Sequence, residues 1–249
     1  MAEQTGTGRC KASVSMLIPA YNEEDILLPA LERSLECFQR DFEDYEIVLI
    51  NDGSKDNTGA IIDEFVKTHD HAVALHNLIN LNYGASIQRG FVAASKKYVF
   101  ANAADLPLDP GKVRELIEKS ENENIDVLCV ERMEYLGTSA WRRFASLVNR
   151  ALILMLFPNG KKGIRDTNYL QIFRRSIIED ILPLARSPIF TMPEMIFRAR
   201  YKKIYKVVPV EFEYKAMSVR KGAFGHPNDI FWGIYDMLRF RLRVWQRNY

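Results

Sequence analysis

Hydrophobic and polar positions along the first half of the chain alternate between two patterns. Short apolar runs bounded by turn residues read as buried strands, and longer segments with apolar residues three and four apart read as helices. Val14 to Ile18 is such a run, followed by Pro19. Leu27, Leu28, Leu31 and Leu35 then form a helical stripe, with Asn22 expected as its cap and Glu23, Glu24 and Asp25 near its N-terminus. Glu46 to Ile50 is a second strand, and its unbroken Ile47-Val48-Leu49-Ile50 predicts burial on both faces. Asp56 or Thr58 is placed to cap a helix carrying Ile61, Ile62, Phe65 and Val66. Further strands are expected at Ala72 to Leu75, Tyr98 to Ala101 and Val127 to Val130. Helices are expected at Ser86 to Lys96 and from Pro110 onward.

This βα alternation predicts a mainly parallel, doubly wound sheet with helices on both faces. Ligands of such sheets bind at the carboxyl ends of the strands. Beyond Arg132 the alternation weakens. Trp141 to Phe157 reads as a long helix, Ile204 to Phe212 as a strand, and Asp229 to Trp245 as a basic and aromatic helix. The division expected is a flexible N-terminus over 1–12, one main domain over 13–227 and an amphipathic C-terminal helix over 228–249.

Composition narrows the class. With 47% hydrophobic and 27% charged residues among 249, the chain has the make-up of a globular protein. A net charge of +2 gives no global signal for nucleic acid, and none is expected as a partner. The three scattered cysteines, Cys10, Cys37 and Cys129, suit neither a zinc site nor a disulfide framework and fit a reducing compartment. No signal peptide is read at the N-terminus, and no segment approaches the roughly 18 apolar residues of a spanning helix. The four histidines show no ligand spacing.

Three loops follow successive strands. They are Ile18-Pro19-Ala20-Tyr21-Asn22-Glu23-Glu24, Asn51-Asp52-Gly53-Ser54-Lys55-Asp56-Asn57-Thr58, and Ala103-Ala104-Asp105-Leu106-Pro107-Leu108-Asp109-Pro110. Carboxylates accept hydrogen bonds from ribose hydroxyls and base N–H groups, so Glu23 and Asp52 suit a nucleoside. Pro19 and Gly53 shape close backbone approaches. Read alone, Asp52-Gly53 is equally a plain turn and Glu23 a first-turn helix carboxylate.

In this order the three loops resemble glycosyltransferase family 2, especially its dolichyl- and polyprenyl-phosphate sugar synthases, over nearly the whole chain. The resemblance implies a GT-A-type, Rossmann-like fold with a C-terminal helical elaboration. It implies an inverting transfer of sugar from a GDP- or UDP-sugar to a polyprenyl phosphate, on the cytoplasmic face of a membrane. Pro19, Tyr21, Glu23, Asp52, Gly84 and Ala104 would line the nucleotide, with Gly84 permitting a positive φ or a close contact. Asp105 would hold a weakly bound magnesium or manganese ion on the diphosphate. Here the chain departs from the family's Asp-x-Asp: Ala103 stands at the first position and Pro107 where a glutamine is frequent. Asp109 is a candidate second carboxylate.

Arg132 ends a strand as a family arginine facing the acceptor phosphate does, and Arg220-Lys221-Gly222 matches a later family landmark. With Arg143 they are the candidates for the acceptor phosphate or the diphosphate, where arginine's paired donors suit phosphate oxygens, and each is equally readable as a solvated surface arginine. Asp166-Thr167 with Phe173-Arg174-Arg175 matches a later block that lacks the family's glycine-phenylalanine, and Pro193-Glu194 and Val208-Pro209-Val210 follow in order. Two alternatives stay open. One is transfer to a glycan or lipid hydroxyl, with Asp166 or Glu194 as base. The other is a catalytically weak nucleotide-sugar-binding subunit, suggested by Ala103. The C-terminal helix and the Ala151 to Phe157 run are expected to meet a membrane surface or an integral-membrane partner.

Overall fold

The computed structural model describes residues 8–132, 140–161, 163–185, 187–212 and 227–246. The side chains of 132, 140–146, 161, 212 and 227–229 lie outside that description. The chain runs β1 (Val14–Ala20), α1 (Leu27–Asp41), β2 (Tyr45–Asn51), α2 (Thr58–Thr68), β3 (Ala72–His76), α3 (Asn82–Ala93), β4 (Tyr98–Ala101) and α4 (Val113–Asn122). It continues through β5 (Val127–Arg132), α5 (Ala140–Leu156), α6 (Pro158–Lys161), β6 (Leu170–Arg174), α7 (Ile178–Ile181), α8 (Thr191–Lys202), β7 (Val207–Phe212) and α9 (Pro227–Trp245).

The strands form one sheet in the order β3-β2-β1-β4-β6-β5-β7. Among the described strands only β6 runs antiparallel, to both β4 and β5. The expected mainly parallel sheet with helices on both faces is what forms. Alternate residues of each strand feed two separate cores. Met16, Ile18, Ile47 and Leu49 pack with Leu31 and Phe38 of α1, Ile62 of α2 and Leu116 of α4. Leu17, Val48 and Ile50 pack with Ile87 and Phe91 of α3, Ile196 and Phe197 of α8, and Met237 and Phe240 of α9. Burial on both faces explains the unbroken apolar run in β2.

Chain order reverses between β1 and β4, because β2 and β3 lie on one side of β1 and β4 on the other. In open α/β sheets a switch point of this kind is where ligands meet the carboxyl edge. Since β6 is antiparallel, the segment leading into it, Asp166 to Tyr169, lies at this same edge.

Several local expectations are corrected. Asn22 does not cap α1. It adopts a left-handed conformation (φ 54°), and α1 begins at Leu27 without a side-chain cap. The helix expected from Ser86 begins at Asn82. Pro110 opens a short 3₁₀ turn before α4. β6 and α8 emerge where no element was read: β6 carries a buried Gln171 in its apolar run, and α8 holds Pro193 in its first turn, where a missing N–H costs nothing. Cys10 forms a bridge with Phe42 beside β2.

Candidate active site

The loops after β1 and β2 are laced together by side chain to backbone bonds. Asn22 Oδ1 accepts from Lys55 N at 2.8 Å, and Asn22 N donates to Ser54 Oγ at 3.0 Å. Glu23 N donates to Thr58 Oγ1 at 2.8 Å, and Glu24 N to Asp56 Oδ2 at 3.2 Å. The Glu24 carboxylate accepts from Asn57 N and Nδ2. Asn22 is therefore spent on this tertiary link, which is why it leaves α1 uncapped. Asp56 also accepts from Thr58 N at 3.0 Å, but it lies one residue ahead of the cap position, which Asn57 holds without a side-chain cap bond, so neither Asp56 nor Thr58 caps α2 as expected. Desolvation opposes the charge of Asp56, but its bonds outweigh this and hold the carboxyl below the usual aspartate range. Pro19 is held within β1 opposite Ile50 of β2, and Tyr21, just beyond the strand, is exposed.

Asp52 directly follows β2 and is only 5% exposed. Its N–H donates to Ala20 O at 2.9 Å, tying it to β1. Its Oδ1 accepts from Asn77 Nδ2 at 2.9 Å and from Leu81 N at 2.8 Å. The β3–α3 segment thus lies across the β2 loop, anchored at both ends by one carboxylate oxygen. Gly53 makes this approach possible. Its φ is 70°, and a Cβ there would stand 2.4 Å from the Ile79 carbonyl carbon. The left-handed residue of the next segment is Asn82 (φ 66°), and Gly84 is a buried helical residue, so the positive φ expected of Gly84 belongs to Asn82.

After β4 the chain makes a tight turn in which Leu106 N donates to Ala103 O at 2.9 Å. Leu106 is buried with φ 47°, a conformation that costs a branched side chain about 1–3 kcal/mol. Asn102 holds the turn through Leu108, and Tyr169 Oη donates to Pro107 O at 2.8 Å, joining it to the start of β6. Ala104 is buried and Ala103 exposed. Asp105 is half-buried, and its carboxylate makes no hydrogen bond with any described residue. Asp109 is used elsewhere: it caps Gly111 and faces Arg33 at 3.5 Å, so it does not serve as a second carboxylate beside Asp105. Among the described residues no three acidic, histidine or cysteine side chains gather as a metal cluster. This donor set suits an ion shared with phosphates and water rather than a cage made wholly of protein.

At the same edge, beyond β6, buried Glu131 near the end of β5 accepts from Arg165 N. The Arg165 guanidinium pairs with both Glu131 and Glu211. Arg165 was not singled out from the sequence, although it directly precedes the Asp166-Thr167 block. Asp166 is buried and accepts from Asn168 N at 3.0 Å. The Arg132 and Arg143 side chains, and Arg220 altogether, lie outside the described residues. Glu194 is far from free: it accepts from Leu184 N, Ala185 N and both Arg198 Nε and Nη2, at 2.7–3.1 Å.

A topological switch point flanked by laced polar loops, with a buried oriented carboxylate after β2 and one after β4 that bonds no described residue, gives this α/β sheet the plan of the GT-A architecture. The profile described as "Glycosyl transferase family 2" matches residues 15–182, and the chain belongs to that family. It is 33% identical over 172 residues to undecaprenyl-phosphate 4-deoxy-4-formamido-L-arabinose transferase of Proteus mirabilis, covering 68% of this chain and 51% of that one. It is 28% identical over 255 residues to dolichyl-phosphate beta-glucosyltransferase of Trichomonas vaginalis, covering 93% and 75%. The chain thus spans about half the length of the first of these relatives. Among solved structures, glucosyl-3-phosphoglycerate synthase of Mycobacterium tuberculosis with uridine diphosphate superposes at TM-score 0.69 and 17% identity, over 92% of this chain and 80% of that one. The same enzyme with Mn2+, UDP-glucose and phosphoglyceric acid gives TM-score 0.67. At that identity these likenesses speak for the fold alone.

Proposed function

We propose that this chain transfers a sugar, with inversion, from a nucleoside-diphosphate sugar to a polyprenyl phosphate. The observation that carries the proposal is the arrangement at the switch point, where Asp52 after β2 and Asp105 after β4 flank the β1 loop. Two strand spacings separate β2 from β4, roughly 10 Å. Asp52, with Tyr21, Glu23 and Pro19, takes the nucleoside, and Asp105 with Ala104 meets the diphosphate. A magnesium or manganese ion held by Asp105, phosphates and water would offset the charge of the departing diphosphate.

An acceptor phosphate oxygen attacks the anomeric carbon as the bond from that carbon to the donor phosphate breaks. The nucleophile is already an anion at neutral pH, so the protein needs no strong base. Glu194 fits this reading, because a carboxylate committed to Arg198 and two backbone N–H groups is poorly placed to deprotonate a hydroxyl. Arg132, Arg220 and Arg165, near the end of β5 or assigned there by resemblance, are the cations for the acceptor phosphate. Ala103, an exposed methyl where a metal carboxylate is usual, supports the second reading of a weakly catalytic nucleotide-sugar-binding subunit.

Membrane docking is part of the proposal. No helix among the described residues is long and apolar enough to cross a membrane. Yet α9 exposes Phe231, Tyr235, Leu238, Leu242 and Trp245 along one stripe, flanked by Arg239 and Arg241. The adjoining α5 exposes Leu147, Leu154 and Met155. Such a surface suits an anionic bilayer interface, reached from the cytoplasmic face. The test is a donor screen of UDP- and GDP-sugars by thermal shift with manganese, followed by turnover on polyprenyl phosphate and on the matching polyprenol. Turnover on the phosphate alone supports the reading. Turnover on the alcohol, or donor binding without turnover on either, favours the alternatives.

A further inference from the structure

Asp52 is oriented by a relay that begins at a surface cation. Asn77, which follows β3 and is 5% exposed, has its backbone N–H bonded to Asn51 O at 2.9 Å. Its side-chain amide is nearly saturated. Nδ2 donates one hydrogen to Asp52 Oδ1 at 2.9 Å and the other to the buried Ser86 Oγ at 2.7 Å. Its Oδ1 accepts from Arg89 Nη1, which also donates to His76 O at 3.2 Å. Arg89 projects from α3, a helix pressed closely onto the sheet: a Cβ at the neighbouring Gly90 would stand 2.7 Å from Ile50 Cδ1.

An asparagine amide presents one acceptor and one donor end, and its neighbours decide which end faces which way. Arg89 is a donor only, so it draws Oδ1 toward itself and turns Nδ2 toward Asp52. The cation also polarises the amide, making its N–H groups stronger donors along the chain of bonds. With Asn77 and Leu81 both bonded to Oδ1, the Asp52 carboxylate cannot rotate freely. Its Oδ2, which accepts from no described residue, is left at a defined angle.

We infer that Arg89 is a positioning residue for donor recognition: through the Asn77 amide it holds Asp52 with one oxygen committed and the other presented to an N–H of the donor base. This rests on the reading of Asp52 as a nucleoside-binding residue. Arg89 does not touch the nucleotide in this scheme; it sets how selectively Asp52 recognises it. Uracil and guanine both carry a ring N–H that a carboxylate accepts, so the relay serves either base.

The test is calorimetric titration of the full chain with UDP and GDP in manganese, and with 3-methyl-UDP and 1-methyl-GDP, which lack that ring N–H. The wild-type chain should prefer the unmethylated form of its nucleotide by about tenfold or more. Arg89→Ala should weaken the parent nucleotide by about tenfold and reduce the methyl discrimination to about threefold or less. Because Arg89 is exposed, the nucleotide-free melting midpoint should stay near that of wild type. Arg89→Lys should recover most of the discrimination, and Ser86→Ala, which frees the other Nδ2 hydrogen, should show a smaller loss of the same kind. Wild-type affinity and discrimination in Arg89→Ala overturn the inference. So does lost affinity with discrimination intact, which would mean that Arg89 meets the phosphates directly. A wild-type chain that binds neither nucleotide overturns the reading of the site itself rather than the role of Arg89.

Discussion

Replacing Asp52 separates its anchoring of the β3–α3 segment from the recognition role proposed for it. Oδ1 accepts from Asn77 Nδ2 and Leu81 N, and both bonds lie in a buried or half-buried setting. Asp52→Ala removes the acceptor and leaves two donors unsatisfied under the β3–α3 segment. Each stranded donor costs about 1–3 kcal/mol, so a loss of about 2–6 kcal/mol of folding stability is expected. Asp52→Asn keeps an oxygen for Asn77 and Leu81 but places an NH2 group where Oδ2 stood. It should retain most of the stability while losing the charge-assisted bond to the donor base, a cost of about 1.5–3 kcal/mol in binding. Urea unfolding of the three proteins, followed by calorimetric titration with UDP and GDP, reads both quantities. Unfolding midpoints that coincide for Asp52→Ala and wild type would refute the anchoring role. Wild-type nucleotide affinity in a folded Asp52→Asn protein would refute the recognition role.

Metal binding should be weak in the free protein and clear once a nucleoside diphosphate is present, because Asp105 is a lone carboxylate. Asp105→Ala should abolish uptake and Ala103→Asp should tighten it, as measured by manganese titration; tight uptake without nucleotide counts against this placement. Docking to anionic liposomes should weaken with salt without vanishing, since each basic residue contributes roughly 1 kcal/mol and salt screens only that part. Phe231→Ser with Trp245→Ser should lower flotation while the chain stays folded, and unchanged flotation moves the contact elsewhere. These point changes are preferable to deleting α9, because Met237 and Phe240 belong to the core. Native Cys10, Cys37 and Cys129 are all buried, and burial pushes the Cys129 thiol up to about 12, so thiol reagent at pH 8 should label the chain only after unfolding.

Where the sequence was legible, a single physical signal was strong enough to act alone. The buried runs of β1, β2 and β4 announce themselves, and β4 falls where Tyr98 to Ala101 predicted it. The motif loops lie at strand ends for the same reason. β6 and α8 were hidden because their local signals conflict. Gln171 interrupts an apolar run that is nonetheless wholly buried, and Pro193 resembles a breaker although the first turn of a helix tolerates it.

The site divides the same way. Asp52, Glu23 and Asp105 were legible as residue types at strand ends. Their partners were not, because Asn77 and Leu81 lie 25 and 29 positions from Asp52 and nothing local points to them. Asn22 shows the converse error: an asparagine ahead of acidic residues is a good local cap, but the tertiary link to Lys55 and Ser54 claims it instead. Glu194 likewise reads as a candidate base until Arg198, one helical turn away, is seen to hold it.

The account stands most directly on one measurement. The full chain is incubated with manganese, a radiolabelled UDP- or GDP-sugar selected by thermal shift, and either undecaprenyl or dolichyl phosphate in detergent, and the lipid extract is counted. The account predicts label in a lipid-linked sugar phosphate of inverted anomeric configuration, made by wild type and lost in Asp105→Ala. Label transferred to a hydroxyl acceptor in preference to either lipid phosphate, or lipid product undiminished by Asp105→Ala, would contradict it.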